Sequence, residues 1–113
     1  MADLKSSIIQ LRANTNVVPG DKNEIVSVGT SGGGQMSSIL GVSGDMKEYY
    51  PYMYDSATLG VIKNDDGSYS CKYSDAIFAA QNYCPIADIE YADIGYAGWW
   101  VDLVDDDGKW FNY

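Results

Sequence analysis

Two clusters of aspartates in this sequence have the composition of a metal site. They lie immediately before Gly67 and Gly108. A calcium loop of the EF-hand type needs oxygen ligands at its first and last positions and a glycine at its sixth. With either glycine in that place, the first position is apolar (Ile62 or Leu103) and the last provides no carboxylate. The pattern therefore predicts two turns between apolar strands and no metal site.

Candidates for nucleophilic or acid–base chemistry are few. The sequence contains no histidine, the commonest general base and metal ligand. Cys71 and Cys84 therefore lack the usual partner of a thiol nucleophile, and in a reducing compartment we expect buried free thiols rather than a disulfide. Asp88, Glu90 and Asp93 are expected on a solvated face. These residues predict that the chain is not an enzyme and has no catalytic residue.

The glycine-rich run of residues 29–44 could cradle a phosphate. A P-loop ends in Gly-Lys-Ser or Gly-Lys-Thr, and a dinucleotide fingerprint follows the order Gly-x-Gly-x-x-Gly at the start of a helix. Neither pattern occurs in this run. We therefore predict a flexible loop followed by a short strand from Met36 to Val42, and no cofactor.

Aromatic side chains concentrate in two parts of the chain and are candidates for a partner interface. Tyrosine and tryptophan combine a large, rigid contact area with a polar tip, which suits interfaces. The same residues could instead pack on the chain's own core, or stack on a sugar where a groove exposes them. The predicted interface residues are Tyr49, Tyr50, Tyr52, Tyr54, Trp99, Trp100, Trp110 and Phe111.

Composition and charge limit the classes of partner. The chain has 113 residues, 46% of them hydrophobic, with a net charge of −9 and a pI near 4.1. An acidic surface repels phosphate backbones, so direct nucleic-acid binding is not expected. The sequence shows no signal-peptide core and no apolar stretch of membrane-spanning length. We therefore expect synthesis in a cytoplasm and no contact with a membrane.

Short β-rich runs, separated by glycine, proline and aspartate, dominate the sequence. The predicted strands cover residues 6–13, 24–28, 58–63, 68–73 and 86–91, with a final hairpin over 99–113. Residues 46–56 are predicted as an extended edge or an aromatic loop, and residues 75–82 as a short helix or a further strand. Such spacing predicts an all-β fold, a small sandwich or barrel of antiparallel hairpins. Residues 1–113 would form one β domain, with residues 1–20 as a possible arm that docks on a neighbour.

The N-terminal segment of residues 8–28 has a distinctive order of residues. A Gln-Leu-Arg strand leads through a threonine and a Pro-Gly turn to a strand that begins Glu-Ile. The residues concerned are Gln10, Leu11, Arg12, Thr15, Pro19, Gly20, Glu24 and Ile25. This segment resembles the opening of bacteriophage tail-fibre and related virion appendage proteins, although the spacing before Glu24 is longer and no Ile-Gly-Asp-Gly follows. The resemblance implies an oligomeric β protein of a virion, assembled in the host cytoplasm.

Together these observations favour a non-enzymatic structural subunit of a phage-type virion, as a head (capsid) decoration or fibre-base protein. It would act by forming homo-oligomers and by docking on other virion proteins. Two alternatives of different classes stay open. One is a small acidic inhibitor that binds a basic protein groove, and the other is a carbohydrate-binding module that uses its tryptophans.

Overall fold

A computed structural model of the chain describes residues 1–88 and Tyr91. In this part of the chain, helices and short strands alternate. In chain order they are α1 (Ala2–Ala13), β1 (Val26–Thr30), α2 (Gly32–Val42), a 3-10 turn (Lys47–Tyr49), α3 (Tyr50–Asp55), β2 (Val61–Lys63), β3 (Tyr69–Cys71) and β4 (Ala79–Tyr83). None of the helices within residues 1–88 has the length and apolar content that crossing a membrane requires.

Strands β1 and β4 form a two-stranded parallel sheet, and α2 packs on one of its faces. The strands pair in register from Val26 opposite Ala79 to Thr30 opposite Tyr83. Ser27 Oγ lies 2.7 Å from Ser37 Oγ of α2, so a hydrogen bond joins the strand to the helix. The neighbouring side chain of Val28 is exposed on the opposite face of the sheet, as the alternation of a strand requires.

Helix α2 contains most of the glycine-rich run. Its buried residues are Gly34, Ser37 and Leu40, and residues three apart lie on the same face of a helix. The flexible loop predicted for this run is wrong, and so is the strand predicted from Met36 to Val42. The burial repeats every three residues, whereas a strand would bury every second one.

Helix α1 contributes to a separate core with α3 and the β2–β3 pair. The buried cluster consists of Ile9, Tyr50, Met53 and Val61. The strand predicted over residues 6–13 is wrong. The adjacent Ile8 and Ile9 have strand-like side chains, but both lie on the face of α1 that turns inward.

The hairpin predicted around the first aspartate cluster is confirmed. Strands β2 and β3 pair antiparallel, and the backbone N–H of Asn64 donates to the carbonyl of Ser68 at 2.8 Å. Gly67 takes a positive φ of 83°, which suits a glycine. The carboxylate of Asp66 accepts the Ser68 backbone N–H at 2.9 Å. This aspartate therefore stabilises the turn, as its position before Gly67 predicts.

Three other segments differ from their predicted structure. The tyrosine-rich residues 46–56 form a 3-10 turn and α3 rather than an extended edge, with Pro51 in the first turn, where a missing N–H does no harm. The short helix suggested for residues 75–82 is wrong, because β4 occupies its second half. Residues 85–88, the start of the strand predicted over 86–91, have no regular structure.

The strand predicted over 24–28 is confirmed as β1, shifted by two residues.

The all-β prediction is therefore wrong, and the sandwich or barrel with it. Residues 1–88 form a mixed α/β arrangement in which helices pack on a parallel strand pair and on an antiparallel one. Both cysteines are free thiols, Cys71 half-buried and Cys84 exposed. The prediction of a buried thiol is therefore wrong for Cys84. The hairpin predicted over 99–113 lies outside the described residues. The single domain over 1–113 and the docking arm over 1–20 stay predictions.

Candidate functional site

A sharp turn of the backbone joins β1 to α2, and a single residue, Ser31, separates the two elements. Strand β1 ends at Thr30, Ser31 follows, and α2 begins at Gly32. Ser31 has φ 57° and ψ −121°, a combination that costs about 1–3 kcal/mol in a residue other than glycine and persists only where its surroundings enforce it. Such strain often marks a functional site. The side chain of Ser31 is exposed.

Backbone hydrogen bonds hold Ser31 in this conformation. Its N–H donates to the carbonyl of Tyr83, at the end of β4, over 2.9 Å. Its carbonyl accepts the N–H of Gln35, one turn into α2, at 3.1 Å, and the N–H of Ile86 at 3.4 Å. The serine is thus fixed from both the neighbouring strand and the following helix.

The glycines around Ser31 allow the backbone to close this turn. A Cβ added to Gly29 would lie 2.0 Å from the carbonyl oxygen of Gly33, and one added to Gly34 would lie 3.0 Å from that of Tyr83. Both neighbours are backbone atoms that cannot rotate away. A side chain at position 29 would therefore collide with the start of the helix, and one at position 34 would be a tight fit against β4.

The segment Gly29-Thr30-Ser31-Gly32-Gly33 has the order Gly-x-Ser-x-Gly. In α/β-hydrolases this order places a nucleophilic serine on a strained strand-to-helix turn, with its hydroxyl exposed at the top of the sheet. The backbone N–H of the next residue, here Gly32, then serves as an oxyanion donor. Ser31 also lies at the carboxyl end of the parallel strands, which is where open α/β sheets bind their ligands. The arrangement can support nucleophilic attack on an acyl group.

A general base for that serine is not identified among these residues. Serine hydrolases use a histidine that takes the hydroxyl proton, and the 113 residues contain none. The turn thus has a serine and a following backbone N–H in the order of the hydrolase motif, and the 113 residues include no histidine that could serve as its base.

Sequence reasoning missed Ser31, although a signal was present. The glycine-rich run was compared only with phosphate-binding motifs, while its first five residues match the hydrolase motif. The run also follows Ile25-Val26-Ser27-Val28, whose β-branched residues favour a strand. A strand followed at once by Gly-x-Ser-x-Gly would have identified this turn.

The predicted interface residues do not gather around Ser31. Tyr50 is buried in the core at 7% exposure, while Tyr52 is 65% and Tyr54 42% exposed. Tyr49 is half-buried, and its ring lies 4.9 Å from the Lys5 ammonium. The other four, Trp99, Trp100, Trp110 and Phe111, lie outside the described residues. A partner interface at these eight residues stays a prediction.

The solved structures to which the chain is similar include several tannases. The tannase of Fusobacterium nucleatum matches with 39% identity and a TM-score of 0.62, over 84% of this chain and 17% of that one. The native tannin acyl hydrolase of Lactobacillus plantarum matches with 35% identity and a TM-score of 0.63, over 84% and 18%. A tannin acyl hydrolase in complex with ethyl gallate matches with 32% identity and a TM-score of 0.63, over 91% and 20%. The chain therefore spans about a fifth of the length of these enzymes.

No protein-family model and no curated protein sequence matches the chain.

The tannase matches overturn the virion interpretation. Gln10, Leu11 and Arg12, which the phage resemblance takes as a strand, lie in helix α1. The similar structures are acyl hydrolases, so the predictions of a non-enzymatic virion subunit and of localisation in a virion are wrong. The prediction that the chain is not an enzyme is contradicted by the same matches.

The inhibitor and sugar-binding alternatives find no support in the tannase matches. Homo-oligomerisation and the lack of nucleic-acid and membrane contacts stay predictions.

Proposed function

We propose that this chain provides the nucleophile of an ester hydrolase, with Ser31 as the attacking residue. The observation that carries the proposal is the strained serine between β1 and α2, in a Gly-x-Ser-x-Gly segment. The 39% identity to the F. nucleatum tannase supports the same chemistry.

In the proposed reaction, Ser31 Oγ attacks the carbonyl carbon of an ester and gives its proton to a general base. The carbonyl oxygen becomes an oxyanion, which accepts a hydrogen bond from the backbone N–H of Gly32. Collapse of this intermediate breaks the bond to the alcohol, which leaves with the proton from the base. Water then attacks the acyl group on Ser31, with the base again taking a proton, and the acid is released as the serine hydroxyl is restored.

The usual general base of such a reaction is a histidine, and the 113 residues contain none, so in the chimera tested below the remainder of the tannase has to supply the base. The second oxyanion donor of such hydrolases comes from a different loop, which follows another strand of the sheet. In the tannases the matched segment is about a fifth of the chain, so most of the hydrolase lies outside it. The segment's own contribution is the serine, the Gly32 amide and the turn that holds both.

We infer that the substrates are esters of polyhydroxylated benzoic acids. One of the similar tannin acyl hydrolases was solved in complex with ethyl gallate. The exposed hydroxyl of Ser31 at the strand end is open to the planar ester group of such a compound.

The test is a segment exchange in the L. plantarum tannase. The part of that enzyme that matches this chain is replaced by residues 1–113, and hydrolysis of ethyl gallate is measured. We expect the chimera to hydrolyse the ester, and Ser31→Ala to lower kcat by at least about 10³-fold, because loss of a triad nucleophile leaves only oxyanion and binding contributions.

Ser38→Ala in the same chimera is the matched control. Ser38 is another serine of α2, and its hydroxyl donates only to the carbonyl of Gly34 within the helix. We expect this variant to keep its kcat within about twofold, because such a helix-internal bond contributes little. A Ser31→Ala chimera that hydrolyses ethyl gallate as fast as the unchanged chimera would overturn the proposal.

A further inference from the structure

A buried ion pair joins α1 to the segment before β4. The Nζ of Lys5 lies 2.9 Å from Oδ1 of Asp75, and both side chains are 0% exposed. The pair links positions that are 70 residues apart in the chain. Buried ion pairs rarely add stability over an apolar pair of similar size, because both charges lose their hydration. We therefore ask what the Lys5–Asp75 pair does to the relative positions of the elements that it joins.

The pair also holds the C-terminal end of α2. Lys5 Nζ donates a short hydrogen bond to the carbonyl of Ser43, the residue that follows the helix. Two residues on, the backbone N–H of Asp45 donates to Oδ1 of Asp75 at 2.8 Å. In return the backbone N–H of Asp75 donates to Oδ1 of Asp45 at 2.9 Å.

Close backbone packing accompanies these bonds. A Cβ added to Gly44 would lie 2.7 Å from the Cβ of Ala76. The residues after α2 therefore lie directly against the residues before β4, and the Lys5–Asp75 pair is the charged centre of that junction.

Helix α2 is consequently attached to the β4 segment at both ends. At its N-terminal end, Ser31 N–H donates to the carbonyl of Tyr83, where β4 finishes. At its C-terminal end, the junction with Asp75 lies four residues before β4 begins. The 11-residue helix is about 16 Å long at ~1.5 Å per residue, and it is rigid over that distance. A tilt of only a few degrees at its far end would therefore displace Ser31 by roughly 1 Å, and about 1 Å of misplacement can cost a reaction about 10²-fold in rate.

We propose that Lys5 and Asp75 are positioning residues that set the orientation of α2 and so the direction of the Ser31 hydroxyl. The effect on catalysis rests on the proposed function, whereas the effect on the helix does not. Neither side chain touches the substrate in this account. Their role is to keep α2 in one of the orientations that packing alone would allow.

The decisive variant is the double replacement Lys5→Met and Asp75→Asn. It removes both charges together, so that no unpaired charge stays buried, and asparagine keeps an oxygen that can accept the Asp45 N–H. Two readouts are used: amide hydrogen exchange at Ser31 and Gln35 in the full chain, whose N–H groups are hydrogen-bonded, and kcat and KM for ethyl gallate in the tannase chimera. We expect exchange at these amides to rise at least about tenfold, and kcat to fall at least about tenfold with KM little changed.

Ser6→Ala is the matched control, since Ser6 lies next to Lys5 on α1 but bonds elsewhere. Its hydroxyl is 2.6 Å from that of Thr58, in the segment before β2. We expect this variant to leave both readouts unchanged. The positioning role is refuted if the folded double variant shows the exchange and kcat of the unchanged chain, or if Ser6→Ala alters both equally. A chimera with no ester hydrolysis at all would reject the proposed function alone, because the exchange readout still decides whether the ion pair orients α2.

Discussion

Ser31 combines an exposed hydroxyl with a backbone conformation that few residues other than glycine adopt. The conformation is enforced by the Tyr83 carbonyl on one side and by the start of α2 on the other. The motif around Ser31 was visible in the sequence, whereas the partner carbonyl of Tyr83 was not, because 52 positions separate the two residues. Motifs with fixed local spacing can be found from sequence, but the contacts that hold them cannot.

Gly29 tests whether the turn depends on close backbone approach. We expect Gly29→Ala to lower the free energy of unfolding by about 3 kcal/mol or more, because the new Cβ would lie 2.0 Å from the Gly33 carbonyl oxygen and overpacking of this severity exceeds the usual cost. Urea unfolding of the full chain measures the change. Gly33→Ala is the control, since its Cβ would meet no atom within 4 Å, and alanine favours the helix. Equal losses for both variants would contradict the packing argument.

Among the secondary-structure elements, the sequence pattern predicted strand β1 and the β2–β3 hairpin correctly. The β2–β3 hairpin was predicted correctly, because Asp66 and Gly67 together favour one type of turn. The adjacent β-branched residues Ile8 and Ile9 predict a strand, where the structure has helix α1. The burial of Lys5 against Asp75, which a single sequence does not reveal, completes the inward face of α1. Tertiary contacts of this kind override local preference.

The burial of Tyr50 in α3 predicts a pH dependence of stability at high pH. Burial raises the pKa of Tyr50 above its usual 10.0, and Asp45, Asp75 and Cys71 raise it further. The folded chain therefore keeps a proton that the unfolded chain releases above about pH 10. The contribution to stability is fully present below that pH and is lost as the pH rises toward the folded pKa.

Tyr50→Phe removes this titration while keeping the ring in the core. Urea unfolding is compared between about pH 8 and about pH 11. We expect the unchanged chain to lose more stability than the variant over this interval. Parallel losses in the two proteins would show that Tyr50 does not contribute.

At the scale of the whole molecule, the parallel sheet is covered on one face only within residues 1–88. Helix α2 lies on one side, while Val26 and Val28 are 49% and 64% exposed on the other. Parallel sheets are normally covered on both faces. This fits a chain that is similar to about a fifth of a tannase. Net charge and composition could not predict this exposed face, because neither shows which faces of a sheet are covered.

The most direct test of Ser31 as the nucleophile is covalent labelling. The tannase chimera is treated with a fluorophosphonate, which reacts with activated serines, and the adduct is located by peptide mass mapping. We predict one phosphonyl group, on Ser31, with labelling slowed by ethyl gallate and absent from Ser31→Ala. An adduct confined to another residue, or equal labelling of the Ser31→Ala variant, would contradict the assignment of Ser31 as the nucleophile.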